Sequence, residues 1–228
     1  MIPYAYKDHE LFKHLEGTAN KALYALNILG YNVICNRFRN LGLEMDTKDL
    51  KEIVRLSALL HDIGKAADIY QCNIEKGFYM HEVPSAVIAK RILEYNLREE
   101  YIDLIVITVL QHMNSMRDWL SDISKDIERR KWEFTLCKNE VITFLKEITK
   151  TDDINLDVRS NDANKLIEEY QGKSRSNKRW LKLYNLILAL ITVGDNKDAY
   201  EARGGTLSPS RRWFIEELGR LVMPIEEC

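Results

Sequence analysis

The chain has 228 residues, enough for one sizeable domain with its own core. Hydrophobic residues make up 46% and charged residues 30%, the balance of a soluble globular protein, and only 4 prolines and 10 glycines argue against an all-β chain full of tight turns. A formal net charge of −2 excludes a polycation that would bind nucleic acid over its whole surface, so any such role rests on local patches. Cys35, Cys72, Cys137 and Cys228 are far apart with no CxxC pair, which disfavours a zinc knuckle or a disulfide framework and fits a reducing compartment. The opening MIPYAYKDHE lacks the pattern of a signal peptide, and the apolar stretches are broken well short of a membrane span. The expectation is a cytoplasmic protein with no membrane partner.

Helical spacing runs through residues 8–29, where Leu11, Phe12, Leu15, Ala19, Leu23, Leu26 and Leu29 share a face and Gly30 is placed to stop the helix. A second helix, 47–63, starts from the capping pair Asp46-Thr47, with Gly64 as its expected end. A third opens near Pro84 and runs to about residue 95, and a fourth covers about 99–112. Residues 118–148 read as one or two polar helices, 151–162 as a loop and 163–171 as a short helix. Residues 180–193, WLKLYNLILALITV, are apolar nearly all round, the pattern of a central buried helix, and a last helix is expected over about 209–221. No internal repeat and no run of alternating strands is present, so the expected fold is an all-α helical bundle, one domain over 1–228.

The chemistry concentrates around five histidines, His9, His14, His61, His81 and His112. His61-Asp62 ends an apolar helix in the string LLHDIGK. An imidazole and a carboxylate buried together are costly unless both find partners. Either a hydrogen-bonded, capped pair or a divalent metal would satisfy them. Lys65 follows, a ready point charge for a phosphate. Asp195 comes after the most apolar helix, and its carboxylate needs a cation, which Arg203 or a metal could equally supply. His9 reads as a surface residue.

The order His14, His61-Asp62 with Gly64-Lys65, then a distant Asp195 resembles the H…HD…D signature of the HD superfamily of helical, metal-dependent phosphohydrolases. The resemblance spans about residues 9–205 and is closer still to the stand-alone HD nuclease subunit of type I CRISPR interference. It is carried by FKHLEGT around His14, HDIGKAADIYQ, HEVPSA from His81, and GDNKDAYEARGG. It implies an HD-domain bundle that cleaves nucleic acid, DNA and in particular single-stranded DNA ahead of RNA, by a metal-activated water. It implies His14, His61, Asp62 and Asp195 as ligands of a first divalent ion and His81 and His112 as ligands of a second, with Asp62 bridging and Lys65 on the phosphate. Magnesium or manganese come first, with nickel, cobalt, iron and zinc open. The family usually has a histidine pair where this chain has His112-Met113, and a thioether is a poor ligand for a hard cation. The implied partners are the CRISPR-associated helicase subunit and the surveillance complex.

Two basic clusters could meet a phosphate backbone: Lys125, Arg129, Arg130, Lys131 beside Trp132, and Lys173, Arg175, Lys178, Arg179, Lys182 beside Trp180. The rival readings are a phosphohydrolase acting on nucleotides or cyclic dinucleotides, and a non-catalytic helical docking subunit.

Overall fold

The computed structural model describes residues 2–113, 133–134, 138–151, 154–176 and 178–204. A short antiparallel hairpin, β1 (Tyr4–Tyr6) and β2 (His9–Glu10), leads into α1 (Leu11–Leu29) and α2 (Tyr31–Asn40). Then come α3 (Thr47–Leu60), a 3-10 turn over Ile63–Ala66, the single turn α4 (Asp68–Gln71), α5 (Glu82–Leu93) and α6 (Glu99–Gln111). The chain continues through β3 (Glu133–Phe134), α7 (Lys138–Thr149), β4 (Val158–Arg159), α8 (Ser160–Ser174), a 3-10 turn over Arg179–Leu183 and α9 (Tyr184–Ala202). The architecture is the expected all-α bundle, with two minute sheets beside it.

Local chemistry explains several boundaries. α3 begins at a capping box: Asp49 N–H donates to the Asp46 side chain at 2.7 Å, and Asp46 N–H donates back to the Asp49 carboxylate at 3.2 Å. α1 stops at Gly30, as its sequence position suggests, but a new helix starts one residue later. The hairpin is too short to carry a periodic signal and was not expected; α2 was not expected either, although Ile34, Cys35 and Phe38 give it an apolar face at helical spacing. α8 is longer than the 163–171 segment, beginning at Ser160 inside the expected loop, while α5 opens near Pro84 as expected, with that residue in its first turn. Of the polar helices expected over 118–148, α7 supplies 138–148 while 133–134 form β3; the other residues of 118–137, the helix expected over 209–221 and the cluster from Lys125 to Trp132 lie outside the described residues.

The largest correction concerns α9. The apolar run 180–193 is not one helix: its first part is the 3-10 turn, and α9 continues well past it to Ala202. Nor is α9 buried all round; Ile187, Leu190, Ile191, Gly194, Asp198 and Ala199 form its inner stripe while Ala189 is exposed. Asp195 therefore stands within a helix and not after one.

α1 lies against both α9 and α3, α3 against α6, and α6 against α5, around a shared core that includes Leu11, Leu15, Leu26, Leu50, Ile53, Leu60, Ile88 and Ile92. The α1–α9 crossing is close because Gly194 has no side chain: a Cβ there would lie 2.5 Å from the Thr18 carbonyl oxygen and 3.1 Å from the Ala22 nitrogen. Gly194→Ala is accordingly expected to destabilise the fold by about 1–3 kcal/mol, the usual effect of overpacking. Chemical denaturation followed by circular dichroism measures this, with native helix content unchanged before the transition.

Candidate metal centre

Five elements deliver the candidate residues to one place. His14 is on the inner face of α1, His61 and Asp62 follow the last residue of α3, His81 precedes α5, His112 follows α6, and Asp195 comes from α9. All but Asp195 are buried. The Asp62 carboxylate is the hub. Its Oδ2 lies 3.2 Å from His14 Nε2, 3.4 Å from His61 Nε2 and 2.5 Å from Lys65 Nζ. Its Oδ1 lies 2.6 Å from His81 Nε2 and 3.2 Å from His112 Nε2. Asp195 Oδ1 completes the first group, 3.2 Å from His14 Nε2 and 3.9 Å from His61 Nε2.

The rings are aimed by their other nitrogens. His61 Nδ1–H donates to the Ala58 carbonyl at 2.7 Å, His81 Nδ1–H to Phe78 at 2.5 Å and His112 Nδ1–H to Val109 at 2.7 Å. Each partner lies three residues back; for His61 and His112 it is a carbonyl in the last turn of a helix, an acceptor left without an intrahelical donor. The proton is thereby fixed on Nδ1 and Nε2 faces inward, the arrangement of a metal-ligating imidazole.

The 3-10 turn that carries Lys65 is pressed against the start of α5. A Cβ on Gly64 would lie 2.3 Å from the His81 carbonyl oxygen, so only glycine fits. Gly64 N–H donates to Ser85 Oγ, which donates to the His81 carbonyl, both at 2.8 Å. Gly64 thus serves this contact, and α3 has already ended at Leu60.

The donor set fits a divalent ion. Groups sharing an ion with bonds of about 2.0–2.2 Å stand roughly 3–4.4 Å apart, as the first group does. His61 Nε2 is buried and makes no hydrogen bond, and His81 and His112 point their Nε2 atoms at each other across 3.1 Å with both Nδ1 protons already committed. A cation relieves both arrangements. The geometry offers two donor groups, His14, His61, Asp62 and Asp195, and Asp62, His81 and His112.

Charge follows the same layout. Burial favours neutral Asp62, but His61, Lys65, His81 and His112 outweigh it and hold the carboxyl well below its usual range; His14 and His61 do the same for Asp195. Burial opposes the charged form of His14, yet Asp195, Asp198 and Asp62 carry its pKa up to about 10, and Asp62 and Asp195 carry the equally desolvated His61 up to about 9. For His112 burial prevails against the attraction of Asp62, and its pKa falls.

A cleft of about 1220 Å³ opens onto the centre, lined by Asp62, Lys65, His81, His112, Met113 and Asp195, by the aromatics Tyr4, Tyr6, Phe78 and Tyr79, and by Lys7, Lys76 and Arg203. Lys65 Nζ lies 4.7 Å from the centre of the Tyr6 ring and 5.2 Å from that of Phe78. Tyr6 OH donates to Asp195 Oδ1 at 3.2 Å, and the Arg203 guanidinium covers the Tyr6 ring at 4.4 Å.

The family model described as HD domain matches residues 11–142, more than half of the chain. The chain belongs to the HD domain family. It is a metal-dependent hydrolase. The matched segment holds the first five candidate residues from His14 to His112, while Asp195 joins them only through α9. The HD chain is 28% identical over 213 residues to the CRISPR-associated endonuclease Cas3-HD of Saccharolobus solfataricus, covering 86% of this chain and 88% of that one. It also superposes on the CRISPR-associated Cas3 HD domain protein of Methanocaldococcus jannaschii with a TM-score of 0.61 at 19% identity, covering 83% of this chain and 96% of the other. At that identity the second likeness concerns the fold.

The second basic cluster stands elsewhere. Lys173 pairs with Asp103 at 2.5 Å and Glu169 at 2.9 Å, and Lys178 lies 3.8 Å from Asp103, whereas Arg175 and Arg179 are exposed and Trp180 is buried. Asp103 precedes His112 by nine residues of α6, roughly 13 Å of helix. Sequence reasoning missed Tyr6, Asp198 and Lys21 and set His9 aside, although His9 Nε2 lies 3.1 Å from Asp198 Oδ2. The three-residue spacing of Asp195 and Asp198 was the available signal, since it puts both on one helical face.

In the metal-free protein the raised His14 and His61 hold protons that a divalent ion must displace. Manganese affinity is therefore expected to tighten between roughly pH 6 and 8, by about tenfold per unit for each proton displaced. Calorimetry in buffers of different ionisation enthalpy reads both the affinity and the released protons. An affinity flat across that range would remove these two imidazoles from the donor set.

Proposed function

We propose that this chain is a nuclease that hydrolyses phosphodiester bonds of DNA, single-stranded in preference, in cytoplasmic CRISPR interference. The observation that carries the reading is the division of one carboxylate between two imidazole groups, Asp62 Oδ2 facing His14 and His61 and Oδ1 facing His81 and His112. Such a set suits a pair of divalent ions sharing Asp62, with Asp195 added to the first group. Hard oxygen and imidazole donors fit manganese or magnesium best, with nickel, cobalt, iron and zinc also compatible. When bound, the divalent ion supplies a Lewis acid that polarises the phosphoryl group and acidifies the attacking water.

The chain's own groups do the rest. Lys65, held between two aromatic rings beside Asp62, is placed to bind a non-bridging phosphate oxygen once other cations balance that carboxylate. The cleft exceeds the common 300–1,000 Å³ range of small-ligand sites, and its aromatic and cationic lining suits stacked bases and a phosphate backbone. The likeness to the Saccharolobus CRISPR-associated endonuclease supports the same substrate class. A helicase subunit that feeds an unwound strand, and a surveillance complex that selects the target, are the proposed partners. Lys173, Arg175, Lys178 and Arg179 enter only as a flanking contact, given their distance from the centre.

Labelled single-stranded DNA, incubated with manganese, magnesium or EDTA beside a panel of nucleotides and cyclic dinucleotides, tests the reading. Metal-dependent DNA cleavage is expected, with at least a hundredfold loss in Asp62→Ala at unchanged helical signal. Nucleotide turnover without DNA cleavage would replace the nuclease with a small-molecule phosphohydrolase, and silence on both with no metal bound would leave a docking subunit.

Met113 lies in the cleft lining beside His112, where a thioether contributes little to a hard ion. Met113→His is expected to raise cleavage at limiting manganese by several-fold and little at saturation. Unchanged manganese affinity would count against an ion held by His81 and His112.

A further inference from the structure

His14 differs from the other three inward-facing histidines. Those fix their Nδ1 protons on carbonyls three residues away, whereas His14 Nδ1–H donates to the side chain of Asp198 at 2.8 Å, across the α1–α9 crossing. The same Asp198 accepts from Lys21 Nζ, 2.8 Å from Oδ1, and its Oδ2 lies 3.1 Å from His9 Nε2. His14, Gly17 and Lys21 share one face of α1, spaced by three and four residues. Gly17 makes the room: a Cβ there would lie 1.9 Å from Asp198 Oδ1.

We infer that Asp198 is a positioning residue whose carboxylate keeps the His14 proton on Nδ1 and so leaves Nε2 free to hold an ion. The inference rests on the proposed reading of His14 as a metal donor. His9, His14 and Asp198 come close enough together to be taken for another ion site. That set cannot serve together with the first group, because a neutral imidazole has one lone pair and His14 cannot lend both Nδ1 and Nε2. The charge of Asp198 is also balanced already by Lys21, 24% exposed at its side chain, and Lys21 is itself held 3.1 Å from Glu201.

The chemistry supplies a specific test. In Asp198→Asn the Lys21 ammonium draws the amide oxygen to the Oδ1 position, so the amide NH2 faces His14. Nδ1 must then accept, the ring proton moves to Nε2, and the donor is blocked. Manganese affinity measured by calorimetry should fall by about 10–100-fold, the usual effect of losing such an outer partner, while the melting curve of the metal-free protein stays close to that of the unaltered protein. Adding Lys21→Met frees the amide to turn over and should recover much of the loss, although Lys21→Met alone changes affinity little. A residue that merely fills space would give no such recovery.

Wild-type affinity in Asp198→Asn, or a loss that Lys21→Met leaves untouched, overturns the role of Asp198. His14→Ala separates this from failure of the metal centre. If that variant binds manganese as tightly as the unaltered protein, His14 is no donor and both readings fall; if it loses affinity while Asp198→Asn does not, only the Asp198 role falls.

Discussion

The structure depends on the buried carboxylate of Asp62. A desolvated anion is strongly unfavourable unless cations and donors surround it, and removing one partner of such a group typically costs about 3–5 kcal/mol. Here the neighbours arrive from α1, the α3 terminus, the 3-10 turn, the start of α5 and the end of α6. The α1–α9 contact acts one step out, bringing Asp195 and Asp198 to His14. Both carboxylate oxygens are used, and on different imidazole groups, which turns an electrostatic necessity into a donor set that could hold a metal ion.

Precision comes from backbone groups that helices leave unsatisfied. The last carbonyls of α3 and α6 lack intrahelical donors, and the histidines that follow those helices supply them. One hydrogen bond thereby caps a helix, fixes a tautomer and aims Nε2. His14 lies inside a helix where no carbonyl is free, so its proton is held from another helix. That difference makes the α1–α9 crossing, with glycines on both sides, part of the site and not only of the core.

Much of this was legible in the sequence. The apolar periodicity of α1, α3 and α6 marks helices that pack one face, and the capping pair at Asp46 marks where α3 begins. The ordered His14, His61-Asp62, His81, His112 and Asp195 pattern pointed to an HD centre, and the structure brings those six side chains together. The hairpin was less legible because strands of two and three residues carry no period, whereas the apolar face of Ile34, Cys35 and Phe38 did mark α2 as a helix. The apolar run before Asp195 misled for a different reason: hydrophobicity reports burial, but not where a 3-10 turn gives way to an α-helix.

The sequence by itself determined the helical class, the family and the residues able to hold a metal, because these follow from local periodicity and from an ordered set of side-chain types. Only the tertiary structure decided that the two oxygens of Asp62 face different imidazole groups, that Lys173 is engaged by Asp103, that Asp198 accepts from His14 and Lys21, and that Tyr6 donates to Asp195. Those are matters of distance between elements far apart in the chain. Hydrogen-bond partners across a helix crossing are set by how closely the helices approach, and that closeness depends on which glycine meets which side chain.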